Sequence, residues 1–238
     1  VSKDAAAMIL ADDNFATIIR AVVNGRNVYR NIKNAILFLL SGNMAGILAV
    51  LYTSLAGLPM PFDPVHLLFI NLLTDSLPAI AIGMEPSDES LLLEKPRDPS
   101  VGILTKDFLV KMMGQGFLIA IVSMVAYYFG LRENTELAMT MAFAVLTLAR
   151  LFHGFNCRGK ESVIFLGLCS NPYSIYAFLG GTCLLLLVLL VPPLHGLFHV
   201  VTLPVSLILR LIGLAFLPTF VIQLLKIYFD GKTHRKVN

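Results

Sequence analysis

Charge is scarce in this chain: Asp, Glu, Lys and Arg make up 14% of its 238 residues, against about 25% in an average soluble domain. That excludes an ordinary water-facing globular fold. With 57% hydrophobic residues and a mean hydropathy of +0.79, the composition is that of a membrane protein. A net charge of +3 is too small to argue for a nucleic-acid partner. The three cysteines, Cys157, Cys169 and Cys183, form no CxxC pair, which speaks against a disulfide framework or a zinc site. The opening residues are polar and charged, with no apolar stretch behind a basic start, so they do not read as a signal peptide. No internal repeat or low-complexity tract stands out. Val1 is not a natural start residue, so the chain is expected to be a piece of something longer.

What is present is a series of long apolar runs. Residues 1–34 are soluble in character, with a turn and cap signal at Ala11-Asp12-Asp13-Asn14. From Phe15, apolar residues at Ile18, Ile19, Val22 and Val23 recur at helical spacing. With no strong breaker before Leu55 except Gly25 and Gly42, a helix outside the membrane is expected to run into it as one rod. Six runs are long enough to cross a bilayer: about 35–56, 65–84, 108–130, 137–155, 173–191 and 204–229. The expected fold is an all-α polytopic bundle of six transmembrane helices (residues 35–238) with a cytosolic helical stalk. The first segment, the two longer loops (85–107 and 156–172) and the tail from Asp230 carry most of the lysines and arginines, while the three short turns carry only Arg132. The positive-inside rule then puts both ends in the cytosol.

The chemistry is concentrated in the second run. Asp75 lies near its middle, where a carboxylate is costly unless it is paired, faces a polar cavity or binds a cation. Asn71 and Thr74 sit four and one residues before it, a spacing that places all three on one face of a regular helix. Pro78 has no N–H, so the Thr74 carbonyl loses its helical partner. A carboxylate, an amide oxygen, a hydroxyl and a free carbonyl suit a hard cation such as calcium, and interrupted helices with such groups at the midplane build transporter ion sites. A polar cluster that only joins helices is the alternative. Elsewhere, His195 and His199 are four apart but give at most two ligands, a poor metal site. Arg210 is expected to bond inside the bundle or to reach the outer interface.

Asn71-Leu72-Leu73-Thr74-Asp75-Ser76-Leu77-Pro78-Ala79, followed by Gly83-Met84-Glu85-Pro86, resembles the sixth transmembrane helix of calcium-type P-type ATPases. Ala11-Asp12-Asp13-Asn14-Phe15 with Ile18 resembles the end of that family's phosphorylation domain. Gly25-Arg26-Asn27-Val28-Tyr29-Arg30-Asn31-Ile32-Lys33 resembles its stalk. The resemblance implies that 1–34 end the phosphorylation domain and form the stalk, and that Asp75, Asn71, Thr74 and Asn43 hold the transported ion. For Asn43 a helix-joining role stays equally open. Where calcium pumps with two sites carry glutamates, this chain has Gly46 and Arg150, which implies one ion per cycle. Arg150 could stand as a fixed charge in the second position or snorkel to the interface. The 85–107 loop, with Glu94-Lys95-Pro96-Arg97-Asp98-Pro99, would couple the membrane part to the phosphorylation domain, or be only a solvated connector.

The family's Asp-Lys-Thr-Gly-Thr, Thr-Gly-Glu and Gly-Asp-Gly-x-Asn-Asp motifs are absent here. The chain alone is thus expected to lack catalysis. Mg2+ and ATP would be bound by missing cytosolic domains, and the partners would be the lipid bilayer and the missing N-terminal part of the pump. The function implied is calcium export across the plasma membrane with protons returned. A sodium, potassium or proton pump of the same family, or a stand-alone channel, transporter or non-catalytic membrane subunit, is the alternative.

Overall fold

The computed structural model describes residues 14–94, 96 and 101–234. The expected end of a phosphorylation domain (1–13), most of the Glu94–Pro99 motif and the last basic residues lie outside the described residues. Among those described, every regular element is helical. Helix α1 runs unbroken over Phe15–Leu55, capped by Asn14, whose side chain accepts from the Ala16 N–H at 3.0 Å. At 1.5 Å per residue such a rod is about 60 Å long, twice a hydrocarbon core, so roughly half of it projects beyond the bilayer.

The second run is built in three pieces: α2 (Pro64–Phe69), one wide π-helical turn (Ile70–Thr74) and α3 (Ser76–Gly83). Asp63 starts α2 by accepting from the Val65 N–H, and the His66 ring accepts in return from the Asp63 N–H, a reciprocal cap. Helices α4 (Lys106–Leu131) and α5 (Thr135–Asn156) form a hairpin, with starts capped by Thr105 and Asn134. A short α6 (Val163–Leu166) and a 3-10 turn (Leu168–Ser170) interrupt the next connection. Helix α7 spans Pro172–Leu190, with Asn171 as cap and proline in its first turn, where a missing N–H costs nothing. The turn expected at Pro192–Gly196 is instead a short helix, α8 (Pro192–Phe198), because the same first-turn logic applies to Pro192 and Pro193. Helix α9 spans Val205–His234, with Pro218 inside it.

Among the described residues, six helices are long and apolar enough to cross a membrane: Ala16–Leu55, Pro64–Gly83, Lys106–Leu131, Thr135–Asn156, Pro172–Leu190 and Val205–Tyr228. Helix α5 is the centre of the bundle. Its most apolar stretch is 83% buried, against 33–44% for the other five. Alanines 138, 142, 144 and 149 on it are closed off from solvent, which lets α1, α4, α7 and α9 approach closely, as small residues do between membrane helices. Large apolar side chains such as Leu55, Leu68, Phe117, Leu179 and Leu209 point outward, as a lipid-facing surface requires. Arg210 is on that exposed face and not inside the bundle.

At the end of the bundle away from the projecting part of α1, the Tyr127 hydroxyl donates to the Pro59 carbonyl (2.7 Å). His199, in the left-handed region at φ 49°, places Nδ1 2.9 Å from the Asp63 carboxylate. This hydrogen bond, followed by that from the Val65 N–H, holds the Asp63 carboxyl below the ordinary carboxylate range. His195 turns its Nε2 to the Leu189 carbonyl instead (3.1 Å), so the two histidines do not converge.

Candidate cation site

The π-turn decides how Asp75 is presented. Its N–H reaches back five residues to the Ile70 carbonyl (2.8 Å), a wider turn than an α-helix makes. The regular ladder restarts at Ser76, so Pro78 falls in the first turn of α3. The interruption therefore precedes Asp75, whereas proline alone pointed to a break after it. The wide turn also separates residues that a regular helix would align. The Thr74 hydroxyl is buried and donates to the Ile70 carbonyl (3.0 Å). Asn71 faces an open cleft, and Asp75 is buried at 2% exposure.

Arg150, from the middle of α5, meets Asp75 inside the bundle. One terminal nitrogen of its guanidinium donates both to Asp75 Oδ2 and to Asn43 Oδ1 on α1, the latter at 2.9 Å. Snorkelling is thereby ruled out, since Arg150 is 2% exposed and its head is spent on Asp75. Room for it comes from Gly42: a Cβ there would lie 2.5 Å from Arg150 Nε and 2.8 Å from Cζ, inside any permissible contact. Asn43, Gly46, Asn71 and Arg150, with Leu67 and the apolar wall of α1, line a cleft of about 550 Å³. Gly46 adds no carboxylate, and a Cβ there would meet only Leu67 at 3.9 Å.

The site is incompletely satisfied. Asp75 Oδ1 and Arg150 Nε are buried without a partner among the described residues. A buried polar group costs free energy until something pairs with it, so the carboxylate keeps coordination capacity beyond its arginine. Among the described residues no cluster of three or more His, Cys, Asp or Glu forms. A cation held here would rest on one carboxylate and neutral oxygens.

Three sequence-predicted site residues, Asn43, Asn71 and Asp75, come together around Arg150 and the cleft, while Thr74 sits beside them with its proton turned to backbone. Two buried networks were not foreseen. One is built on His153, whose Nε2 lies 2.9 Å from the Ser41 hydroxyl and whose Nδ1 lies 3.2 Å from Asn156 Nδ2. The other is built on Arg158 and Glu85. A signal for the second was present: Asn27, Asn31 and Asn34 share a helix face at spacings of four and three.

A membrane bundle whose interrupted helix presents a part-satisfied carboxylate between helices has the layout in which membrane transporters build ion sites. Residues 59–228 match the family described as "Cation transporting ATPase, C-terminus", and the chain belongs to that family. It is 40% identical over 225 residues to a calcium-transporting ATPase of Bacillus subtilis, covering 93% of this chain and 25% of that protein. It is 42% identical over 180 residues to one of Listeria monocytogenes, covering 75% of this chain and 20% of that protein. It is 34% identical over 229 residues to human calcium-transporting ATPase type 2C member 1, covering 95% of this chain and 25% of that protein. The chain thus spans about a quarter of the length of the curated relatives it matches.

Proposed function

We propose that this chain is the ion-binding membrane part of an ATP-driven calcium pump that moves one ion per cycle and returns protons. The observation that carries the reading is the buried, unpartnered Asp75 Oδ1 beside an arginine that occupies the other oxygen. A carboxylate has about four lone-pair sites, so Asp75 can serve Arg150 and a cation together. Asn43 and Asn71 offer neutral oxygens on the same cleft, and Thr74 is adjacent. Calcium takes six to eight oxygens, roughly. The remainder would come from water, backbone and the part of the pump not in this chain, which also would bind ATP and Mg2+ and carry the phosphorylated aspartate. The rod α1 would transmit movement from there to Asn43, with both ends of the chain in the cytosol and the plasma membrane as the site of export.

The single-ion stoichiometry follows from charge. Where a second carboxylate would be needed there is Gly46, and where a third would be needed there is a guanidinium. Asp75 supplies one negative charge, already shared with that guanidinium, so a second divalent ion would have no anion left to offset its charge. Equilibrium binding of labelled calcium to the full-length pump tests this. One ion per phosphorylation site and a Hill coefficient near one are expected, since a single site cannot cooperate with itself. Two ions bound cooperatively would overturn it, and activation by sodium or potassium in place of calcium would replace the ion.

A further inference from the structure

The second buried ion pair differs from the first in being complete. Arg158, just beyond the end of α5, is 1% exposed and uses all five N–H groups. Nε and one terminal nitrogen donate to the two oxygens of Glu85 at 3.0 and 2.8 Å. The remaining protons go to the Ser170 hydroxyl (2.6 Å) and to the Gly167 and Leu168 carbonyls (3.1 and 3.2 Å). Gly167 turns these carbonyls inward from φ 82°, a conformation that favours glycine. Glu85 Oε2 also accepts from Asn171 Nδ2 at 2.7 Å.

Glu85 ends the segment that carries Asp75, ten residues or about 15 Å along the helix. The last carbonyls of a helix lack partners within it. Here other elements supply them. Asn171, at the start of α7, donates to Ala81 O (2.8 Å). Asn31 on α1 reaches Gly83 O and Glu85 O (3.3 and 2.8 Å), and Asn27 reaches Glu85 O (3.0 Å). Asn34 donates to Arg158 O (3.1 Å). A desolvated, bidentate arginine–carboxylate pair with every donor satisfied is fixed in one geometry. By contrast, Lys160–Glu94, at 3.7 Å and 80% and 54% exposed, adds little.

We propose that Glu85 and Arg158, with the asparagines at 27, 31, 34 and 171, clamp the end of the Asp75 helix to the rod α1, so that helix and rod move as one body. Glu85 and Arg158 are then positioning residues for the cation site. This rests on the pump reading, but the clamp is measurable without it. Spin labels on Ile19 of α1 and Met84 beyond α3, both on exposed faces, in the full-length protein should give the same distance with the cation-loaded enzyme and with the enzyme held by a phosphate analogue. A distance that changes between these states overturns the clamp, whatever ion is carried.

In vesicles, the double variant Glu85→Gln/Arg158→Met leaves no uncompensated buried charge. Its calcium transported per ATP hydrolysed should fall about fivefold or more, the low end of coupling between linked sites, with Arg158→Lys recovering part of it. Transport and hydrolysis falling in parallel, at an unchanged ratio, would mark a merely structural pin and overturn the proposal. Failure of calcium to activate the unmodified pump would count against the functional reading alone, and the distance measurement would still judge the clamp.

Discussion

Arg150→Met in the full-length pump removes a charge and keeps an unbranched side chain of comparable length. In the structure this strips Asp75 of its arginine partner and frees Asn43 Oδ1. Breaking a buried ion pair from one side costs about 3–5 kcal/mol. The low end applies, because Asp75 Oδ1 and Arg150 Nε already lack partners and the native pair is not fully used. A bound cation should take over the role of the guanidinium. Calcium at about 100 times its dissociation constant returns about 2.7 kcal/mol by mass action, close to the whole loss. The assay is thermal unfolding with and without calcium. The variant should unfold earlier than the native pump without calcium, and calcium at that concentration should bring it close to the calcium-free native pump. The double variant Arg150→Met/Asp75→Asn should recover stability without calcium and lose the calcium response. An Arg150→Met pump as stable as the native one in calcium-free buffer would refute the pairing, and equal calcium stabilisation in the double variant would refute Asp75 as the ligand.

Asp75→Asn alone should abolish calcium-dependent phosphorylation from ATP and leave phosphorylation by inorganic phosphate, as read by acid-stable labelling; a normal calcium dependence would remove Asp75 from the site. Gly42→Ala gains about 1 kcal/mol of helix propensity but puts a methyl group 2.5 Å from Arg150 Nε. The displaced guanidinium should cost more than that gain, lowering thermal stability, whereas Gly46→Ala, next to open space, should not. His199→Ala should cost less than about 1 kcal/mol, because its pair with Asp63 is exposed. Asp63 is held below the ordinary carboxylate range, so that small contribution is present at neutral pH and lost as pH falls through the lowered value. Unfolding midpoints of native and variant pumps should converge in acid.

The number and order of spans, the long rod from Phe15 and the burial of a carboxylate at Asp75 are all legible from local patterns. Hydropathy over about 20 residues reflects a one-dimensional demand of the bilayer, and a lone carboxylate inside such a run stands out because burying it is costly. Pro78 also signalled an irregular helix, but its effect depends on where the ladder restarts. Only the π-turn at Ile70–Thr74 puts that restart at Ser76, turns Asn71 to the cleft and buries Asp75. The meeting of Arg150 with Asp75 and Asn43 joins residues 75 and 107 positions apart, and Gly42 permits it by what it lacks. The Arg158–Glu85 knot likewise draws on four separate stretches, 27–34, 81–85, 158 and 167–171. Local patterns report what each helix needs from its solvent. Which buried charge finds which partner depends on how the helices pack around α5, and that is decided by all of them together.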